Sequence, residues 1–127
     1  MINKLAKEIN ENAISKGFYE DEKNIGEMLC LIHSEVSEAL EADRKGKYAV
    51  ESFNMKNNIN LNDIGSDVQY FKQEFEVAYK DTFEDELADI MIRVMDLAAF
   101  KGVDLEKHIK AKMLYNSFRE HKHGKKY

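Results

Sequence analysis

The chain has 127 residues, 43% hydrophobic and 34% charged, with a net charge of −5, six glycines and no proline. That length limits it to one domain with a single core. The lack of the strongest helix breaker, with few turn residues, turns the reading away from sheet and towards an all-α protein. The charge is unevenly spread: residues 110–127 hold six Lys/Arg against one acid, a local +5, so the first 109 residues carry −10. An acidic body with a basic tail argues against duplex nucleic-acid binding, where basic surface should dominate. It suits carboxylates that hold a cation beside a tail that meets phosphates.

The N-terminal residues alternate charge with apolar side chains and form neither a signal peptide nor a membrane span, so the expected location is cytoplasmic and no membrane partner is expected. A first helix runs from about Ile2 to Lys16, with Leu5, Ile9 and Ala13 on one face and Gly17 as its C-cap signal. A second begins at Asn24, a good N-cap, and continues to about Lys45, where Gly46 ends it. Its positions Ile25, Leu29, Ile32, Val36, Ala39 and Leu40 read as one apolar stripe. The single cysteine, Cys30, sits in an apolar run and reads as a buried, inert thiol.

Residues 47–66 are asparagine-rich and lack a sustained period, which predicts a loop or irregular insertion, with short strands as the alternative. A short helix follows over about Val68–Tyr79. Thr82, with Asp85 three residues on, caps the next main helix, which is apolar nearly all round from Leu87 to Phe100. Such a helix is central to a bundle or shared with a second subunit. Gly102 ends it, and Asp104 caps a last helix over about Leu105–Arg119. The predicted fold is a four- to five-helix bundle in one domain, with an insertion over about 47–81.

The chemistry-bearing residues are two carboxylate pairs. Glu35 and Glu38 are three residues apart on the second helix, and Glu86 and Asp89 repeat that spacing on the apolar helix, with Arg93 and Asp96 continuing the stripe. Like charges three apart repel, by a few tenths of a kcal/mol in an isolated helix. Solvated helix faces carry many such pairs. Two of them on the two most apolar helices instead suit convergence on a divalent cation, and an all-oxygen set suits Mg²⁺ or Mn²⁺. A di-iron bundle would need Glu-x-x-His pairs, and neither Glu35 nor Glu86 has a histidine three residues on.

The segments Ser34-Glu35-Val36-Ser37-Glu38-Ala39-Leu40-Glu41 and Glu84-Asp85-Glu86-Leu87-Ala88-Asp89-Ile90, with the ending Lys112-Met113-Leu114-Tyr115-Asn116-Ser117-Phe118-Arg119 and His123-Gly124-Lys125, resemble the MazG-like nucleotide pyrophosphohydrolases of the all-α NTP pyrophosphatase superfamily. The resemblance covers about three-quarters of the chain. It implies a Mg²⁺-dependent hydrolase that converts a (d)NTP to the (d)NMP and pyrophosphate, in nucleotide-pool house-cleaning, as a homodimer or homotetramer. It further implies that Glu35, Glu38, Glu86 and Asp89 are the catalytic metal ligands. Lys112, Asn116 and Arg119 would bind substrate, with Arg119 suited to bidentate phosphate contact. Two features depart from the family: Ser34 replaces a glutamate that usually precedes the first pair, and 47 residues separate Glu38 from Glu86. Glu41 is a candidate outer-shell base. The rivals are a non-catalytic helical interaction module and, within the superfamily, a phosphoribosyl-ATP pyrophosphatase.

Overall fold

Helix-stop and helix-start residues act where the spacing placed them. In the computed structural model, which describes residues 1–50 and 68–127, the helices are α1 (Ile2–Ser15), α2 (Ile25–Arg44), α3 (Val68–Ala78), α4 (Phe83–Phe100) and α5 (Leu105–Ser117), followed by a 3₁₀ turn at His121–Gly124. The described residues contain no strand. The protein is all-α, and none of these helices is long and apolar enough to cross a membrane. Residues 51–67, about half of the insertion expected over 47–81, lie outside the described residues.

Each boundary has a local cause. The Asn24 side chain accepts the Glu27 N–H at 3.1 Å and starts α2. Gly17, Gly46 and Gly102 follow α1, α2 and α4 with φ of +86°, +64° and +66°, the left-handed turn that a Cβ disfavours. Thr82 caps α4 by accepting the Asp85 N–H, while the Asp85 carboxylate accepts the Asp81 N–H at 2.9 Å. The reciprocal contact of a full capping box is therefore displaced by one residue, onto Asp81, which itself adopts a φ of +60°. Asp104 accepts the Lys107 N–H at 3.0 Å and starts α5. That helix stops at Ser117, so Arg119 lies just beyond it instead of within it.

Two compact units divide the chain: Met1–Met28 with Ile92–Tyr127, and Leu29–Met91. In the first, the starts of α1 and α5 are laced together. Glu106 accepts the Ile2 N–H at 2.8 Å, Asn3 donates to Asp104 at 2.7 Å, and the Glu106 N–H returns to Asn3 Oδ1 at 3.1 Å. Further along, Asp96 accepts hydrogen bonds from Asn10 at 2.8 Å and from the Tyr19 hydroxyl at 2.9 Å. The Tyr19 ring packs on Phe100, with centroids 5.2 Å apart. Burial and the Asp96 carboxylate push the Tyr19 hydroxyl far above its ordinary range, so it stays a donor.

In the second unit, the chain leaving α2 is tied to the start of α4. The Phe83 N–H donates to Lys47 O at 2.8 Å, the Ala49 N–H to the Glu84 carboxylate at 2.8 Å, and the Val50 N–H to Ala78 O at 3.1 Å. The buried stripe of α2 is Glu35, Ala39 and Ala42. This corrects the expected stripe, because Leu29, Val36 and Leu40 are about half exposed. Two alanines and a glutamate turn inward, about 100° round the helix from the leucines. Cys30, expected to be buried, is exposed. On α4, Leu87, Met91 and Ile92 are also part-exposed, so that helix is not enclosed all round.

Candidate metal centre

The paired spacing on α2 and α4 converges inside the second unit. Carboxylate oxygens of Glu35, Glu86 and Asp89 lie within 4.8 Å of one another. Glu35 and Glu86 are each 7% exposed, and Asp89 is half-buried. A buried carboxylate with no cation beside it is costly, and the electrostatics register that cost. Burial first, then the charges of Glu38, Asp89, Glu35 and Asp85, push Glu86 up to about 7. Its Oε2 atom is buried and has no hydrogen-bond partner among the described residues.

Glu38 stands at the edge of this group. It is exposed, yet it hydrogen-bonds Glu35, and that contact, with the charge of Glu35, holds its carboxyl above the usual range. A hydrogen bond from Glu86 acts in the opposite direction. Two carboxyl groups in mutual hydrogen bonding need a proton between them, which is the same direction in which Glu35 shifts Glu38.

Of the four expected ligands, three meet within one ion's coordination span and the fourth adjoins them. Opposite oxygens lie about 4.2 Å apart around Mg²⁺ and up to about 5 Å apart around Ca²⁺, so a bound of 4.8 Å admits the larger ion as it stands, and the smaller one only with the oxygens drawn closer. Ser34 stays out of the cluster and donates to Leu31 O at 2.8 Å. Glu41 pairs with Lys45 at 3.2 Å in an exposed i,i+4 bridge, which makes it a surface group.

Lys112, Asn116 and Arg119 belong to the other unit. Lys112 and Arg119 both rest against the exposed Tyr115 ring, at 5.0 and 5.9 Å from its centroid. Arg119 also donates to His123 O at 3.3 Å. Asn116 Oδ1 is buried and lacks a hydrogen-bond partner among the described residues. Lys112 and Arg119 were singled out by the family resemblance; Tyr115 as the plate that holds both cations was not. Its position between them, three residues after Lys112 and four before Arg119, was the available signal. No family model, curated protein or solved structure matches this chain.

Proposed function

We propose that the chain is a Mg²⁺-dependent nucleoside triphosphate pyrophosphohydrolase of the MazG-like kind, converting a (d)NTP to the (d)NMP and pyrophosphate and acting as a homodimer or homotetramer. The observation that carries the reading is the buried Glu86 carboxylate, which gathers with Glu35 and Asp89, has an oxygen without a hydrogen-bond partner among the described residues, and is pushed up to about 7. Nothing in the packing of a simple solvated helix face requires such a group. A cation offsets it.

Glu35, Glu86 and Asp89 would hold the ion, with Glu38 in reach to complete the set. A bound Mg²⁺ lowers the pKa of a coordinated water and neutralises charge on phosphate oxygens. Glu35 on α2 and Glu86 on α4 would hold that charge in place. The carboxylates position; they do not attack phosphorus. Lys112 and Arg119, both already cationic and held against Tyr115, supply the phosphate-suited chemistry.

The test is pyrophosphate release over a panel of NTPs and dNTPs with and without Mg²⁺. The reading expects Mg²⁺-dependent turnover of at least one nucleotide, and Glu86→Gln is expected to lower it by a hundredfold or more. An absence of turnover for every nucleotide, together with an absence of any Mg²⁺-induced thermal shift, would sink it. The second reading is a non-catalytic interaction module, favoured by the apolar side chains that α2 and α4 leave exposed.

A further inference from the structure

Glu35 on α2 and Glu86 and Asp89 on α4 gather although their like charges push the two helices apart. A clasp just beyond α2 ties the end of that helix to the start of α4. The Phe83 N–H donates to Lys47 O at 2.8 Å, and the Ala49 N–H donates to the Glu84 carboxylate at 2.8 Å. Tyr48, between Lys47 and Ala49, packs its ring on Phe83 with centroids 5.6 Å apart and donates its hydroxyl to Asp43 in the last turn of α2. Its hydrogen bond to Asp43, with burial, raises that hydroxyl above its ordinary range, so it stays a donor. One side of the clasp thus grips α2, and the other grips the first turn of α4.

The clasp is near the cluster along both helices. Glu86 is three residues after Phe83, and Glu38 is five before Asp43, roughly 4.5 and 7.5 Å along the helix axes. An acid in the first turn of a helix is favoured by the macrodipole wherever it points. Glu84 does more than that, because it accepts an N–H from a segment 35 residues away. We propose that Glu84 is a positioning residue for the metal centre: by accepting the Ala49 N–H it fixes the register of α4 against the end of α2, and with it the approach of Glu86 and Asp89 to Glu35. Its effect on an ion rests on the metal reading given above; its effect on helix register does not. Mg²⁺ holds its oxygens at about 2.0–2.1 Å in near-octahedral geometry, so a slip of about 1 Å between the helices opens the ligand set.

Two variants of the full chain separate the hydrogen bond from the charge. Glu84→Gln keeps an oxygen acceptor and loses the charge, whereas Glu84→Ala loses both, so the difference between them reports the hydrogen bond alone. Alanine is also the better helix former, so weaker binding in Glu84→Ala does not come from helix propensity. Mn²⁺ affinity is read from the EPR signal of the free ion. Glu84→Gln is expected to stay within about threefold of wild type, and Glu84→Ala to bind about fivefold or more weakly than Glu84→Gln, with helical circular dichroism retained. Equal affinities in the two variants overturn the proposal. Register without metal is read by pulsed EPR between spin labels on Glu41→Cys in α2 and Ala88→Cys in α4, both exposed positions, in a Cys30→Ser background. The label distance is expected to shift or broaden in Glu84→Ala and to hold in Glu84→Gln; an unchanged distance in Glu84→Ala also overturns the proposal. A wild-type chain that takes up no Mn²⁺ defeats the metal reading instead, and the label distances then decide the register by themselves.

Discussion

Glu86 concentrates the physical tension in the second unit. It is 7% exposed, faces two more carboxylates, and is held up to about 7 by burial and then by its acidic neighbours. A carboxyl whose folded-state pKa is raised binds more protons folded than unfolded between about 4.5 and 7. Its contribution is fully present below about 4.5 and is lost as pH rises through about 7. Without divalent cations the protein should therefore lose stability across that window, by on the order of 3 kcal/mol if Glu86 acts alone. Thermal melts in a chelator-containing pH series measure this, and a flat or rising profile would contradict it. Glu86→Gln removes the ionisable proton and the like charge. Its cation-free form should be about 1–2 kcal/mol more stable than wild type at pH 8 and should lose the pH dependence. Its melt should no longer respond to Mg²⁺. The residue type and spacing of this cluster were legible in the chain. The depth of Glu86 was not, because burial depends on which face of α4 meets α2.

Capping explains why the elements begin where they do, and it is the part most directly written in local sequence. Asn24, Thr82 and Asp104 each accept a backbone N–H three residues on. Thr82 also donates to Tyr79 O at 2.6 Å and is buried, so it secures α4 to the segment before it. Thr82→Ala should cost about 1 kcal/mol or slightly more. Denaturant unfolding monitored by circular dichroism tests this, and a change below a few tenths of a kcal/mol would show that the cap is dispensable. The faces of the helices were read less well than their ends. Leu29, Val36 and Leu40 share a period with Ile25 and Ile32, and periodicity identifies an apolar face without saying what covers it. The alanines that point inward are small, so the burial of α2 is centred on residues with weak hydropathy. For the same reason Cys30, in an apolar run, is exposed.

At the scale of the whole molecule, cation binding and stability are linked. If the carboxylates hold Mg²⁺ in the folded state alone, free ion at a hundred times its dissociation constant adds about 2.7 kcal/mol. Chelation should therefore lower the melting temperature by several degrees. The effect should be larger at pH 8 than at pH 5, where protons compete for the same oxygens. Equal shifts at both pH values would place the ion elsewhere.

Several properties follow from the chain alone, because they depend on composition and on contacts within a few residues. These are the all-α character, the helix ends and the two pairs of acids at three-residue spacing. Tertiary structure decided what lies far apart in sequence. It brought Glu35 to Glu86 and Asp89, left an oxygen of Glu86 without a partner among the described residues, and set Asp96 between Asn10 and Tyr19. It also turned two alanines of α2 inward and left the leucines outside. Helical spacing restricts which residues share a face. Only packing between helices selects the face that is buried, and burial is what makes a carboxylate sensitive to a cation.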